Sequence, residues 1–356
     1  MIPVLIDGSL RPYLDTLFHP SFQLTVYDST QALRQQLSHH EVLVCRATLQ
    51  INEVLLADST IRCVATATSG SDHVDRSYLQ KQHIALLDAK GANASSVADY
   101  VVACVAYLQI HHSWQGAQIG IIGVGAVGRR VQARLQSLGF DVIGYDPLRA
   151  EKESSFRSAT LEALLQSDML CIHAALHDGP AFPSRHLLSD DLLANLQTGT
   201  VILNAARGQI VDEKALLSAH QKLYYCTDVY AHEPMISPEI VAYATVCTPH
   251  IAGHSIEARR ATITTVVEKL HLHYGLSTPF PSEDIEPIFK NVPEGATWQQ
   301  LVLALYNPGA ETRELKRSRQ LAETFLTLRQ AHRERHDFSK YQLQRQNRLF
   351  EAAFGR

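Results

Sequence analysis

Short apolar runs alternate with stretches of helical spacing along most of the chain. In the N-terminal part, the runs with the length of buried strands are 4–6, 24–27, 42–45, 63–67 and 84–87. Segments such as 30–37 and 52–56, whose apolar residues recur every three or four positions, lie between them. Buried strands that alternate with helices predict a parallel sheet with helices on both faces.

A second series of the same kind begins beyond a long helix. Ser95 and Ser96 precede this helix, and Val97, Val101 and Val105 recur on one of its faces. The apolar runs that follow are 119–122, 142–145, 169–172, 201–203, 225–228 and 245–247. We therefore predict an α/β protein in which a doubly wound Rossmann sheet accompanies a smaller, flavodoxin-like α/β domain.

These patterns also predict where the domains begin and end. Residues 1–92 form the smaller domain, to which the chain returns at about 276–285, and residues 93–275 form the Rossmann domain. The run PFPSEDIEP, from Pro279 to Pro287, interrupts the alternation and predicts a linker. Residues 286–356 then form a small C-terminal segment.

Composition and charge narrow the function classes. Apolar residues make up 46% and charged residues 19% of the 356 positions, and the formal net charge is −4. These values are typical of a globular protein and favour neither nucleic acid nor a membrane as a partner. No apolar run reaches the roughly 20 residues of a transmembrane helix, and the N-terminus, which meets Asp7 early, lacks the pattern of a signal peptide.

Cysteines and histidines form no metal-binding pattern. The six cysteines are scattered without a CxxC pair, and we expect them to be reduced thiols in a cytoplasmic protein. The eighteen histidines include the pairs His39-His40 and His111-His112, but no cysteine or carboxylate cluster lies at ligand spacing. We therefore predict no metal site.

A glycine-rich turn is the most specific chemical motif. Gly123, Gly125 and Gly128 form a G-x-G-x-x-G pattern directly after a predicted strand and before a predicted helix. Gly123 permits the tight turn, Gly125 lets the backbone approach a pyrophosphate, and Gly128 lets helix and strand pack closely. Because the N-terminus of the helix also attracts phosphates, the motif predicts a dinucleotide cofactor.

The next predicted strand ends at Asp146, eighteen residues beyond Gly128. A carboxylate at this place hydrogen-bonds the ribose hydroxyls and repels a 2′-phosphate. We therefore predict NAD rather than NADP, with the nearby Arg149 as the feature that favours NADP.

Polar side chains follow three later strands. Arg207 follows the strand at 201–203, Asp228 and Glu233 follow the next strand, and His250 follows the last. Ligands of an open α/β sheet bind at the carboxyl ends of its strands, so we expect these side chains to converge. A guanidinium holds a carboxylate through two hydrogen bonds. An imidazole oriented by a carboxylate accepts a hydroxyl proton as a hydride leaves.

These motifs resemble those of the D-isomer-specific 2-hydroxyacid dehydrogenases. The similar runs are GIIGVGAVGRR, NAARGQIVDEKAL, DVYAHEP and TPHIAG. Within that family, the 4-phosphoerythronate dehydrogenases resemble the chain further at CRATLQIN (45–52), ATATSGSDHVD (65–75), GANASSVADYV (91–101) and TPHIAGHSIEARR (248–260). The similarity runs from about residue 1 to 275 and continues more weakly in FLTLRQAHRERHDF.

The resemblance implies a reaction and an assembly. The expected reaction is the oxidation of 4-phospho-D-erythronate to (R)-3-hydroxy-2-oxo-4-phosphooxybutanoate with NAD, in the synthesis of pyridoxal 5′-phosphate. The expected assembly is a homodimer formed through the C-terminal segment.

The resemblance also assigns roles to individual residues. The catalytic residues of the family match Arg207, Glu233 and His250. Its cofactor contacts match Gly123, Gly125, Val127, Gly128, Asp146, Ala174, Ala205, Asp228 and Gly253. Its substrate contacts match Ala47, Thr68 and His254. The chain departs from the family at three of these positions, where Ala47 replaces a serine, Ala174 a threonine and His254 a tyrosine.

The sequence leaves two other functions open. One is another dehydrogenase of this superfamily, acting on 3-phosphoglycerate or glycerate, against which the runs CRATLQIN and SGSDHVD argue. The other is a non-catalytic NAD(H)-sensing binding protein, against which the complete set Arg207, Glu233 and His250 argues.

The end of the chain is basic. Residues 311–356 hold 11 lysines and arginines against 6 acidic residues, a net charge of +5. An amphipathic helix that packs on a neighbour and a basic nucleic-acid-binding arm are the two alternatives, and the sparse aromatic residues favour the helix.

We expect this helix to pair with its copy in a second subunit. Leu321, Phe325 and Leu328 form an apolar stripe that would supply the contact. The hypothesis places the arginines of the same region, Arg329, Arg333 and Arg335, at the partner's active site, where they neutralise a substrate phosphate.

Overall fold

The computed structural model describes residues 1–277, 286–291, 294–332, 334–343 and 348–355. These residues form two compact units. The first unit comprises Met1–Asn93 and the described part of Glu257–Ile285. The second unit comprises Ala94–Ile256 and the described part of Glu286–Arg356.

This division differs from the predicted domains in two places. The helix that precedes residue 275 belongs to the first unit, whereas the sequence pattern placed it in the Rossmann domain. The C-terminal segment belongs to the second unit instead of standing apart. Of the predicted return and linker, residues 278–285 lie outside the described residues.

The first unit is built on a parallel sheet of five strands. They are β1 (Ile2–Asp7), β2 (Phe22–Tyr27), β3 (Val42–Cys45), β4 (Cys63–Thr66) and β5 (Ala85–Asp88). Their order in the sheet is β2-β1-β3-β4-β5, which is the flavodoxin-like order and confirms that prediction. The helices between them are α1 (Leu14–Leu17), α2 (Thr30–Gln36), α3 (Glu53–Leu56) and α4 (Arg76–Lys81).

Local sequence explains these elements. All residues of β3 and β4 are buried, because helices cover both faces of the sheet, and the strands are therefore continuous apolar runs. Ser29, Asn52 and Asp75 begin three of the helices, and the side chain of each accepts a hydrogen bond from the backbone N–H three residues later.

The second unit contains a parallel sheet of six strands. They are β6 (Gln118–Ile122), β7 (Asp141–Tyr145), β8 (Met169–Ile172), β9 (Val201–Asn204), β10 (Tyr224–Thr227) and β11 (Val246–Cys247). The order in the sheet is β11-β10-β9-β8-β6-β7. The chain reverses its direction of winding between β6 and β8, and such a switch point is where α/β sheets bind ligands.

Seven helices of the described chain lie between the start of the second unit and the end of β11. They are α5 (Ala94–His111), α6 (Ala126–Ser137), α7 (Pro147–Ala150), α8 (Leu161–Leu165), α9 (Asp190–Ala194), α10 (Glu213–Ser218) and α11 (Pro238–Tyr243). The strands and α5 lie where the sequence pattern predicts them, and the predicted α/β class with a Rossmann-type sheet is confirmed.

Helix α12 (Ile256–His273) follows β11 and packs on the sheet of the first unit. Ile263, Val266 and Leu270 are buried in the same cluster as Val4 and Val42. This apolar face is what assigns the helix to the first unit, and a helical period alone does not reveal which sheet it covers.

The C-terminal segment is folded into the second unit. Its described elements are β12 (Ile288–Lys290), α13 (Trp298–Leu305), α14 (Gly309–Arg317), α15 (Leu321–Ala331), β13 (Tyr341–Leu343) and α16 (Arg348–Phe354). β12 and β13 pair in parallel as a small second sheet. Trp298, Val302 and Phe354 join the same core cluster as α5 and α6.

The predicted role of the apolar stripe on α15 is wrong. Phe325 is 1% exposed and its ring packs edge-on against Tyr230, with ring centroids 5.9 Å apart. Leu321 and Leu328 pack against the same cluster of the second unit. The stripe therefore covers the chain's own sheet and is not left for a second subunit.

A buried ion pair ties the C-terminal segment to the Rossmann helices. Arg134 of α6 lies 2.9 Å from the carboxylate of Asp99 in α5, and both side chains are at most 5% exposed. Arg134 also donates to the carbonyl of Ala353 at 2.5 Å, and Asp99 accepts from the N–H of Phe338 at 2.7 Å. Burial raises the pKa of Asp99 to about 7, against the opposing charge of Arg134.

Three further findings concern the described residues. No helix among them is long and apolar enough to cross a membrane. All six cysteines are buried free thiols. No group of three or more histidine, cysteine, aspartate or glutamate side chains in this part of the chain is arranged to hold a metal ion.

Replacing Arg134 by methionine should lower the free energy of unfolding by about 3 kcal/mol, because it leaves Asp99 buried without its counter-charge. Urea denaturation measures the change. Arg130→Met, on the exposed face of the same helix, is the control and should differ little from the wild type. Equal effects of the two substitutions would show that the buried pair does not hold the segment in place.

Candidate active site

The glycine-rich turn joins β6 to α6 and is closely packed. Gly123 has a φ of 85°, and a Cβ there would lie 2.5 Å from the backbone of Ala174. A Cβ on Gly128 would lie 2.0 Å from the Gly123 carbonyl oxygen. A Cβ on Gly125, in contrast, would meet no described atom within 4 Å. Two glycines therefore serve the packing of the turn, and the third leaves room for a ligand.

The beginning of α6 fits the pyrophosphate of a dinucleotide. Gly125 is the N-cap and supplies no side-chain hydrogen bond to the first turn, which includes the half-buried Val127. The N–H groups of this turn are therefore available to an anion, and the helix dipole favours it.

Asp146 follows β7 next to this turn. Its carboxylate accepts hydrogen bonds from the N–H of Val124 at 2.8 Å and of Arg149 at 3.0 Å. The guanidinium of Arg149 contacts Glu153 at 2.8 Å and lies 4.1 Å from the centre of the Phe156 ring. Arg149 is thus already paired, and the discrimination between NAD and NADP by the negative charge of Asp146 stays a prediction.

An open pocket adjoins the turn. Its wall includes Gly123, Tyr145, Asp146, Ala174 and Ser184. It lies at the carboxyl ends of β6, β7 and β8, where a doubly wound sheet binds a nucleotide. The apolar wall and the carboxylate fit the adenosine half of NAD.

Two further predicted cofactor residues lie beyond neighbouring strands. Ala205 directly follows β9 and is half-buried, and Gly253 is half-buried in the loop that follows β11.

No sequence motif indicates His173, which precedes Ala174 at the same end of the sheet. Both ring nitrogens of His173 are buried without a hydrogen-bond partner among the described residues, and burial lowers its pKa to about 3.

His250 and Glu233 form the central contact of the site. His250 Nδ1 lies 2.6 Å from Glu233 Oε2, and Glu233 Oε1 accepts from the N–H of Tyr230 at 2.9 Å. The two side chains belong to the loops after β10 and β11, which are adjacent in the sheet. The structure therefore brings together two residues that the sequence places after separate strands.

The surroundings keep Glu233 ionised. Burial raises its pKa, but the charge and hydrogen bond of His250, the N–H of Tyr230 and the charge of Arg329 hold the pKa below its ordinary value of 4.5. A carboxylate with a lowered pKa contributes stability that is fully present above pH 4.5 and is lost as the pH falls through the lowered pKa. An ionised Glu233 favours a proton on His250 Nδ1, which leaves Nε2 as the ring atom that can accept a proton.

Asp228 holds the loop that carries His250. Its side chain is buried and accepts from the hydroxyl of Thr248 at 2.7 Å and from the N–H groups of Ile251 and Ala252 at 2.8 Å each. His250 has a φ of 56°, a left-handed conformation that needs support from its neighbours. In the structure Asp228 supplies that support, and its contact with the cofactor stays a prediction.

Arg207 lies in the turn after β9. The turn is fixed by Asn204, whose side-chain amide donates to the Arg207 carbonyl at 2.9 Å. A Cβ on Gly208 would lie 1.9 Å from the carbonyl carbon of Tyr230. Gly208 therefore lets the arginine turn lie against the loop that carries Glu233.

The C-terminal segment supports the loop beyond His250. Arg335 is 9% exposed, donates to the carbonyl of Ala252 at 2.6 Å and packs on the ring of Tyr306 at 4.8 Å. The hydroxyl of Ser96 lies 2.6 Å from Ser255 Oγ and 2.5 Å from Asp337 Oδ1. Arg335 and Asp337 belong to the basic tail, but their contacts with residues so distant in the sequence have no local sequence pattern.

The described tail arginines contact their own chain, whereas the hypothesis placed them at a partner's active site. Arg329 Nη1 lies 3.9 Å from Glu233 Oε2 of its own chain, and Arg335 is buried in its own chain. Arg333 lies outside the described residues. Phe325 and its neighbours attach α15 to the loop that carries Glu233, which places Arg329 at the site of the same chain.

The residues matched to substrate contacts lie in both units. Ala47 and Thr68 follow β3 and β4 of the first unit, where Ala47 is exposed and the Thr68 hydroxyl donates to the Gly70 carbonyl at 2.7 Å. His254 lies in the second unit, four residues beyond His250. Burial lowers the pKa of His254 well below its ordinary value, as do the charges of Arg329 and other nearby cationic groups. His254 is therefore neutral at pH 7.

Comparison with known proteins agrees with this geometry. The family model described as D-isomer specific 2-hydroxyacid dehydrogenase, NAD binding domain, matches residues 105–252. An erythronate-4-phosphate dehydrogenase of Legionella pneumophila is 47% identical over 337 residues, covering 95% of this chain and 96% of the relative. One from Coxiella burnetii is 33% identical over 352 residues, covering 96% of this chain and 95% of the relative. This chain belongs to the erythronate-4-phosphate dehydrogenase family.

Solved structures show the same fold at lower identity. A D-lactate dehydrogenase from Aquifex aeolicus in complex with NAD and lactic acid superposes with a TM-score of 0.62 at 22% identity, covering 76% of this chain and 96% of that chain. An NAD-dependent formate dehydrogenase from Staphylococcus aureus in complex with NAD has a TM-score of 0.60 at 21% identity, covering 77% and 96%. The predictions of the family, of an NAD-binding Rossmann domain and of an oxidoreductase are confirmed.

An erythronate-4-phosphate dehydrogenase that uses NAD should discriminate against NADP through Asp146. We expect Asp146→Asn, which keeps one of the two oxygens that accept the backbone bonds, to improve NADP binding about tenfold, or about 1.4 kcal/mol, because repulsion of the 2′-phosphate disappears. Fluorescence titration with NADH and NADPH measures both affinities. Asp141→Asn, at the exposed start of the same strand, is the control. Equal NADPH affinity of wild type and Asp146→Asn would contradict the role of the carboxylate.

His250→Ala should lower kcat at least about 10²-fold, the usual effect of losing a general acid or base, with little change in NAD affinity. Steady-state NADH formation and NAD titration measure the two effects. His220→Ala, at an exposed histidine, is the control. A fully active His250→Ala variant would assign the proton transfer to another group.

Proposed function

We propose that this chain oxidises 4-phospho-D-erythronate to (R)-3-hydroxy-2-oxo-4-phosphooxybutanoate with NAD, as a step of pyridoxal 5′-phosphate synthesis. The observation that carries the proposal is the His250–Glu233 contact of 2.6 Å in a chain of this family. The substrate is a phosphorylated 2-hydroxy acid, which requires a proton acceptor and groups that bind a carboxylate.

Arg207, His250 and Glu233 have different roles in the reaction. Arg207 holds the substrate carboxylate through its guanidinium. His250 Nε2 accepts the proton of the C2 hydroxyl, and Glu233 stabilises the imidazolium that forms. A bound NAD, held at the turn around Gly125 and by Asp146, would supply the acceptor for the hydride that leaves C2. The products are the 2-oxo acid, NADH and a proton, so atoms and charge balance.

The open alternatives are less well supported. Another D-2-hydroxyacid dehydrogenase, of the phosphoglycerate or glycerate type, would share the His250–Glu233 pair, but relatives that match nearly the whole chain carry the erythronate-4-phosphate name. A non-catalytic NAD(H)-sensing protein would not need an ionised carboxylate on the histidine.

The decisive experiment is a substrate panel. The purified chain is assayed for NADH formation with 4-phospho-D-erythronate, 3-phosphoglycerate, D-glycerate and D-erythronate. We expect the highest kcat/KM with 4-phospho-D-erythronate. A higher kcat/KM with 3-phosphoglycerate or D-glycerate would favour the first alternative, and no activity on any acid despite NADH binding would favour the second.

The proposal extends to a cytoplasmic homodimer. Since the stripe on α15 faces inward, we assign the dimer contact to exposed apolar side chains of the C-terminal segment, namely Phe289 and Leu326, which are 71% and 46% exposed. Substitution of these two residues in the full-length chain tests the assignment. Phe289→Glu combined with Leu326→Glu should give a monomer by light scattering, whereas Leu272→Glu, at an exposed leucine of the first unit, should not. A dimer that survives the double substitution would place the contact elsewhere.

A further inference from the structure

Arg329 is the charged side chain near the catalytic pair that the reaction described above does not use. It lies in the last turn of α15, and its side chain is 36% exposed. The helix is anchored by Phe325 against Tyr230, three residues before Glu233. The position of the guanidinium is therefore set by a buried contact to the catalytic loop.

Arg329 keeps donor capacity beyond its contact with Glu233. Its Nη1 lies 3.9 Å from Glu233 Oε2, longer than the 2.7–2.9 Å typical of a charge-assisted hydrogen bond. The same oxygen already accepts from His250 at 2.6 Å. A guanidinium has five N–H donors, and no other ion pair of Arg329 occurs among the described residues.

The charge of Arg329 acts on two residues of the site. The charge of Arg329 acts on Glu233, which binds His250 Nδ1, and also on His254, which lies further along the loop. Because His254 is neutral at pH 7, the permanent cations near it are Arg329 and Arg335, of which Arg335 already donates to the Ala252 carbonyl at 2.6 Å.

The acidic side chains near Arg329 already have other, closer partners. Glu233 has His250 as its closer partner, and Glu311 lies 3.3 Å from His332. Asp228 is buried and bonded to the hydroxyl and N–H groups of the loop that carries His250. Once His250 has accepted the substrate proton, the positive imidazolium balances the charge of Glu233, whose Oε2 lies 2.6 Å from His250 Nδ1. The charge of Arg329 is then available to a second anion.

We propose that Arg329 binds the phosphate of the substrate in the active site of its own chain. This inference rests on the proposed function, because it presumes an acid whose phosphate is two carbons from the reacting C2. Arg207 holds the carboxylate at one end of the substrate, and Arg329 holds the phosphate at the other. The C-terminal segment thus selects phosphorylated acids over unphosphorylated ones.

The test compares two acids that differ only in the phosphate. Full-length wild type, Arg329→Met and Arg329→Lys are assayed with 4-phospho-D-erythronate and with D-erythronate. Methionine keeps the apolar stem and removes the charge. Arg313→Met, at an exposed arginine of α14 in the same segment, is the control and should behave as the wild type.

We expect Arg329→Met to raise KM for 4-phospho-D-erythronate about 10- to 100-fold, the effect of losing one strong charge-assisted contact. KM for NAD and both constants for D-erythronate should change far less, and Arg329→Lys should retain part of the affinity. Inorganic phosphate should compete with the phosphorylated acid in the wild type and much less in Arg329→Met.

Three results would overturn the inference. They are an equal loss on both acids, a fall in kcat without a rise in KM, and unchanged kinetics. The first two would mean that Arg329 acts only through Glu233. If the wild type prefers unphosphorylated acids, the proposed function itself fails, which the substrate panel shows independently of the variants. If Arg329→Met does not fold, Arg329→Gln takes its place, and turnover of D-erythronate verifies its fold.

Discussion

The hydrogen bond between Glu233 and His250 is the interaction on which the site depends. It requires two loops from adjacent parallel strands to present a carboxylate and an imidazole to each other at 2.6 Å. Asp228 secures one loop through its bonds to Thr248, Ile251 and Ala252. The parallel sheet makes this possible, because it brings the carboxyl ends of strands far apart in sequence to one edge.

The C-terminal segment also packs against the loops that carry Glu233 and His250, although it lies far from both residues in the sequence. Its helix α15 packs Phe325 on Tyr230 and brings Arg329 to Glu233. Arg335 holds the carbonyl of Ala252. A segment that the sequence predicts as a dimer contact is thus part of the unit that contains Glu233 and His250, and it brings positive charge to Glu233.

The sequence predicts much of this structure, because strands buried on both faces are apolar runs and glycines mark the nucleotide turn. The positions of Arg207, Glu233 and His250 after successive strands were enough to expect their convergence. The sequence did not show which sheet α12 covers, nor that Phe325 packs within its own chain. Those outcomes depend on contacts between distant residues, and an amphipathic helix has the same pattern whether its apolar face meets its own chain or a partner.

The hydrogen bond from His250 Nδ1 to Glu233 predicts which nitrogen of His250 carries the proton. Two-bond ¹H–¹⁵N NMR spectra of ¹⁵N-histidine-labelled protein, with the His250 signals identified by their loss in His250→Ala, report the tautomer of the neutral ring. We predict a proton on Nδ1 and a bare Nε2 in the wild type, and loss of this preference in Glu233→Gln. A proton on Nε2 in the wild type would contradict the role assigned to the Glu233–His250 pair.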